Sequence, residues 1–305
     1  MKEDVKSLFC IFGYVDLTGN EIIHYKWESN GYFRDGLASA KDSKRKWGYI
    51  DESYNVVIPF QWDDALIFTE GLAGVKDSNG KWGFINKKGK LVIPYQWIYV
   101  YGFNEGLSVI VDFNYKHGYI DKTGNIVIPC IWDHTVGFRE GLAEVRNSSD
   151  KWGFIDKNGR EVIPCQWKFS RYFSESMACV QDDNDKWGFI DKIGKLIIPC
   201  QWKNALPFSD GMACVKDDND KWGYIDKTGK VVIPCQWEDN HHFSGGLAAV
   251  QDSNYRWGFI DKTGKVVLPC KWHDVVILDN GKVRAQTEKY DSWYDITELL
   301  KTFNN

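Results

Sequence analysis

No apolar run in this 305-residue chain reaches the length of a membrane-spanning helix. No sign of charge dominates either: 42 acidic residues face 38 basic ones, a net charge of −4. That balance favours solubility and gives no pull toward nucleic acid or an anionic membrane. The opening "MKEDVKSLFCIFGYVD" lacks the basic, apolar, small order of a secretion signal, so a cytoplasmic protein is the expectation. Cys-x-x-Cys pairs, Cys/His metal spacings, phosphate loops and nucleophile–base constellations are absent as well. These absences point away from a metal centre, a cofactor and an enzyme. Helical periodicity is missing too, save for "DITELLKTF" near the end.

What the chain has in excess is tryptophan, 15 in all, and the tryptophans are spaced regularly. An aromatic–glycine pair recurs every 35 residues, at Trp47-Gly48, Trp82-Gly83, Trp152-Gly153, Trp187-Gly188, Trp222-Gly223 and Trp257-Gly258. Phe12-Gly13 and His117-Gly118 keep the phase with the tryptophan replaced. A second series holds Trp27, Trp62, Trp97, Trp132, Trp167, Trp202, Trp237 and Trp272, and prolines from Pro59 to Pro269 keep the same period. Fixed-period self-similarity is the mark of a repeat architecture.

Each unit reads as three short strands. "GLAEV" (Gly141 to Val145), "KWGFID" (Lys151 to Asp156) and "REVIP" (Arg160 to Pro164) are β-branched and aromatic. Between them lie polar turns such as "RNSSD" and "DKNG", where glycine can take positive φ. Proline is expected to end the third strand, since it cannot donate to a ladder. The unit "KWGFIDKTGKVVIP…W…F…GLA.V" resembles the WG-repeat (KWG-repeat) family. The resemblance implies a β-rich repeat scaffold and supplies no catalytic residues.

An all-β tandem array follows. It divides into a degenerate partial repeat over 8–30, seven regular units over 31–275 and a degenerate repeat or cap over 276–305, all one array over 1–305. An open, twisted, solenoid-like array is favoured, with a closed propeller-like ring of about eight units as the alternative. Three strands per unit, fewer than a four-stranded propeller blade has, favour the open form.

Within a unit, glycine outlasts its tryptophan. Gly48, Gly83, Gly118, Gly153, Gly188, Gly223 and Gly258 are retained even where histidine replaces the indole. Glycine weakens a strand, so retention implies close approach by another group. The second-series indoles Trp62, Trp97, Trp132, Trp167, Trp202, Trp237 and Trp272 are the expected neighbours, and both are read as core. The row Cys130, Cys165, Cys200, Cys235 and Cys270 takes a position that holds Phe60 or Tyr95 elsewhere, so it reads as apolar packing. The "DDND" runs at Asp182 and Asp217 resemble calcium loops in composition alone and read as hairpin turns.

Variation concentrates after each second-series tryptophan: "DDALI", "IYVYG", "DHTVG", "KFSRY", "KNALP", "EDNHH". Such positions line up on one surface of a repeat protein and form its binding face. The expected function is a non-catalytic scaffold for a protein or peptide, engaged by Tyr99, Tyr101, His134, Lys168, Arg171, Tyr172, Asn204, Glu238, His241 and His242. The alternative is a small-ligand or glycan-binding module that uses aromatic clefts between repeats.

Overall fold

Alternating polar turns and β-branched runs can satisfy their backbone only by pairing with neighbours in sequence, and they do. A computed structural model describes residues 29–30, 33–277, 283–286 and 293–295. These form seven four-stranded antiparallel sheets and one three-stranded sheet, and none closes on itself. The parts expected as a partial repeat over 8–30 and a helical cap near the end lie largely outside the described residues.

The chain divides into two compact units, 1–141 with 157–159, and 142–156 with 160–305. In the first, sheets run over 29–62, 64–97 and 99–132. In the second, they run over 169–202, 204–237 and 239–272, preceded by the strands Leu142–Arg146, Trp152–Asp156 and Glu161–Trp167. The three-stranded sheet, Asp274–Ile277, Val283–Gln286 and Trp293–Asp295, follows.

One sheet of the second unit serves for all. It comprises β1 (Asn204–Ala205), β2 (Ala213–Lys216), β3 (Trp222–Ile225) and β4 (Val231–Trp237), hydrogen-bonded in that order. Two expectations are corrected here. A sheet has four strands rather than three, because the variable stretch contributes β1, which pairs with the next "GLA" strand. Strand count therefore no longer favours one arrangement of units over another. The last strand does not stop at proline; it runs through Pro234 to Trp237.

The reason is a bulge. Trp222 pairs with Trp237 and Tyr224 with Ile233, so two steps on β3 face four on β4. The surplus backbone, Pro234 included, folds over Gly223. Proline is tolerated there because β4 is an edge strand and a bulge needs no ladder donor from it.

This fold-over also corrects the expected neighbour of the glycine. A Cβ on Gly223 would stand 2.6 Å from the Ile233 carbonyl oxygen, 2.7 Å from the Cys235 nitrogen and 2.8 Å from the Pro234 carbonyl carbon. The intruder is backbone, and no indole lies closest. The same carbonyl stands 2.5–2.7 Å away at Gly48, Gly83, Gly118, Gly153, Gly188 and Gly258.

The core lies between consecutive sheets. Trp222, Tyr224 and Ile233 pack with Phe243, Ala248, Val250 and Ile260 of the following sheet, whereas Ile225 packs with Phe189 of the preceding sheet and Phe208 of its own. Full burial of each such side chain contributes about 1.5–3 kcal/mol. The turn glycines complete the fit: Gly229, at φ +84°, lies against Ile198 of the preceding sheet. The second-series indoles join these clusters at their margins. Trp62 donates its Nε1–H to the Tyr95 hydroxyl at 2.8 Å. Where cysteine takes that tyrosine's place, the buried Nε1 atoms of Trp97, Trp167, Trp202 and Trp237 have no protein partner.

Candidate functional site

The stretch after each second-series tryptophan forms the short first strand and its entry into the next, so side chains alternate in and out. Ala65, Val100, Ala205 and Asn240 point inward and are buried. The residues flanking them stand over the first-series tryptophans. In the first unit Tyr99 packs edge-on against Trp82 at 5.2 Å, and Tyr101 packs edge-on against Tyr99, also at 5.2 Å. His134 lies 5.2 Å from His117, the residue that replaces tryptophan there. In the second unit Phe169 contacts both Trp152 and Trp187, at 5.2 and 5.8 Å. Arg171 lies over Trp187 at 4.8 Å and donates to Asn204 Oδ1 at 3.3 Å. His241 packs on Trp257 at 4.8 Å.

Trp82, Trp152, Trp187 and Trp257 are thus platforms that a residue of the variable stretch covers. Trp82, Trp152, Trp187, Trp222 and Trp257 are all buried. Tyr172 and His242 are half-buried at the edge of the row. Burial holds both His241 and His242 below the ordinary imidazole pKa, and at His242 the charges of His241 and Arg171 act the same way.

Lys168 and Glu238 are engaged differently. At Asp63, Asp133, Lys168, Lys203 and Glu238 the residue directly after the second-series tryptophan takes part in an ion pair whose partner depends on its sign. Asp63, Asp133 and Glu238 pair with the lysine before the first-series aromatic, Lys46, Lys116 and Lys221. Lys168 and Lys203 pair instead with turn aspartates, Asp185 and Asp220, at 2.6 Å. Lys151 and Lys186, released by that swap, reach Asp183 and Asp218. The "DDND" runs are therefore hairpin turns whose side chains cap the turn backbone and pair with lysine. Exposed pairs of this kind contribute about 0–1 kcal/mol each.

The first unit also holds a cleft of about 360 Å³ beside Tyr99 and Tyr101, with Leu66, Ile67 and Val100 on its walls. Ser39, Ala65, Thr69 and Gly102 complete it, and no charged side chain lines it. Sequence reasoning singled out the two tyrosines but missed Thr69, because it follows Phe68, beyond the end of the variable stretch. It also missed Phe169, which sits in the row at the position of Tyr99.

Among the described residues the cysteines are free thiols, Cys179 and Cys214 fully buried and the row of five partly so. Among the described residues no group of His, Cys, Asp and Glu side chains is placed to hold a metal ion, and no helix is long and apolar enough to cross a membrane.

A family described as "WG containing repeat" matches at 12–43, 47–82, 82–116, 118–149, 152–187, 187–222, 222–255 and 257–290. The chain belongs to the WG-repeat family. No curated protein matches it. Among solved structures, the WG-repeat chain is similar to the computationally designed Ika8 protein, at 10% identity and a TM-score of 0.49, covering 84% of this chain and 92% of that one. It is also similar to BamB from Moraxella catarrhalis, at 9% identity and a TM-score of 0.48, covering 85% and 93%. A third likeness is to the WD40 beta propeller domain of Doa1, at 10% identity and a TM-score of 0.36, covering 74% and 89%.

Proposed function

We propose that this WG-repeat chain is a non-enzymatic, cytoplasmic scaffold that binds a protein or peptide through the rows of variable residues over its first-series tryptophans. One observation supports this reading above the others: the positions that differ most between copies stand together on the outer side of an otherwise repeated platform. In the first unit they present the rings of Tyr99 and Tyr101, each 38% exposed. In the second they present Phe169, Arg171, Asn204 and His241. Aromatic side chains and arginine are the residue types enriched where interfaces concentrate their energy. Lys168 and Glu238 belong to the rim of this surface, since each already has an ion-pair partner. A reducing compartment agrees with a set of unpaired cysteines.

Affinity capture from the native cell, compared across variants, tests the reading. Tyr101→Ala and Arg171→Ala together should abolish capture of a protein that the wild type retains, and Lys44→Ala, in an exposed turn, should not. An identical captured set from all three proteins would overturn the proposal.

A further inference from the structure

One turn of the first unit departs from its copies. The turn before His117 carries Phe113 and Tyr115, where the preceding sheet has Ser78 and Gly80. In every other described copy the first of these positions is serine or aspartate. Phe113 is 59% exposed and Tyr115 73%. The pairing of His117 with Trp132 brings Ile131 to the same end of the sheet. Ile131 is 62% exposed, and the other described copies have glutamine or lysine in its place. Packing does not account for these three residues, since each lies mostly in solvent. Tyr115 also stands at φ +61°, a left-handed backbone that suits glycine and strains a bulky residue. Two rings and a branched side chain present on the order of 300–500 Å², the size at which a monomer's largest apolar patch is often functional.

A lysine beside this patch has lost both of its usual carboxylates. Lys81 precedes its first-series tryptophan as Lys46 and Lys151 precede theirs. Lys46 pairs with Asp63, after the second-series tryptophan, and for Lys81 that place holds Ile98. Lys151 reaches Asp183, in the turn of the following sheet, and for Lys81 that place holds Phe113. The Lys81 ammonium accordingly lies over the Phe113 ring, 5.5 Å from its centroid, and makes no ion pair among the described residues. Asp77 lies within range of its charge, but the turn holds the Asp77 carboxylate through the amides of Asn79 and Lys81 and the Asn79 side chain.

We propose that this turn is a docking surface for a segment of another protein that carries an aspartate or glutamate next to a large apolar side chain, the apolar group on Phe113, Tyr115 and Ile131 and the carboxylate on Lys81. Charge complementarity selects that occupant. An incoming carboxylate restores the ion pair that Ile98 and Phe113 remove, whereas a basic segment meets Lys81 as a like charge. Exposed aromatic rings supply the contact area that a lone surface ion pair lacks. The surface belongs to a turn rather than to the variable stretch, so it goes beyond the scaffold reading.

Panning a library of random peptides against the full chain tests it, with affinities read by fluorescence anisotropy. The comparison protein carries Phe113→Ser, Tyr115→Gly and Ile131→Gln, the residues of the preceding sheet, and should keep the wild-type melting temperature to within a few degrees. Peptides that the wild type selects should bind this variant at least about tenfold more weakly, and should share a carboxylate beside an aromatic or leucine side chain. Lys81→Gln, a change at an exposed side chain, should weaken the same peptides about two- to fivefold, less so at high salt. The Tyr101→Ala, Arg171→Ala protein should bind them as the wild type does. Peptides that bind wild type and triple variant alike, or that carry no carboxylate, would overturn the proposal. So would a loss of binding in the Tyr101→Ala, Arg171→Ala protein, which would move the peptides to the variable rows. A wild-type dimer in sedimentation that the triple variant loses would overturn it in favour of a second copy of this chain.

Discussion

At the scale of single residues, the repeat is a rule about what cannot be added. Gly223 is retained because a carbonyl oxygen, an amide nitrogen and a carbonyl carbon crowd the place of its Cβ. Trp222 is retained less strictly, as His117 demonstrates, because any flat ring can be covered by a variable-stretch residue. That glycine outranks its tryptophan is legible from eight copies of one sequence. The intruder is not, because a bulge leaves no mark in alternation, and an aromatic ring is the nearest guess that composition allows. The cysteines belong to this scale as well. Burial, aided by the nearby Asp182, Asp217 and Asp252, pushes the thiols of Cys200, Cys235 and Cys270 up to about 11. The native state then holds protons that the unfolded chain, with thiols near their ordinary value of about 8.5, releases. This stabilisation is complete below about pH 8.5 and is lost as pH rises toward 11. Urea midpoints measured from pH 8 to 11 should fall, and replacing the three cysteines with alanine should flatten that slope. An unchanged slope would contradict the burial account.

At the scale of elements, two strands were only half legible. The first strand of each four-stranded sheet has two residues and lies within the most variable stretch, so neither propensity nor periodicity marks it. The last strand is written as a strand, a proline and a loop, yet it is one element because the bulge absorbs Pro234 on an edge. From this follows a prediction opposite to that for an interior strand. Pro234→Ala should cost no more than about 1 kcal/mol in urea denaturation, the loss of chain stiffness alone, since no ladder bond depends on that residue. A loss above 3 kcal/mol would mean that the proline sets the bulge. The ion pairs could have been read from sequence, because where a charged residue follows the second-series tryptophan its sign changes together with the partner it selects. Their partners were missed because each lies 17 residues away, across the sheet rather than along a strand.

At the scale of the molecule, each compact unit is a succession of sheets that share their cores pairwise, so no sheet completes its core alone. The all-β, tandem character was plain from the 35-residue period, and the family match agrees with it over eight segments. The candidate recognition rows were legible as variability, since copies diverge where packing does not hold them. The cleft was not, because it depends on Thr69 and Gly102 meeting across two repeats. The repeated unit is a backbone fit, with chemistry left to the residues between. The most direct test is urea unfolding of Gly223→Ala beside Trp222→Phe in the full chain. A single methyl against the bulge should cost at least about 2 kcal/mol more than a smaller ring on the platform. Equal losses, or a greater loss for Trp222→Phe, would contradict it.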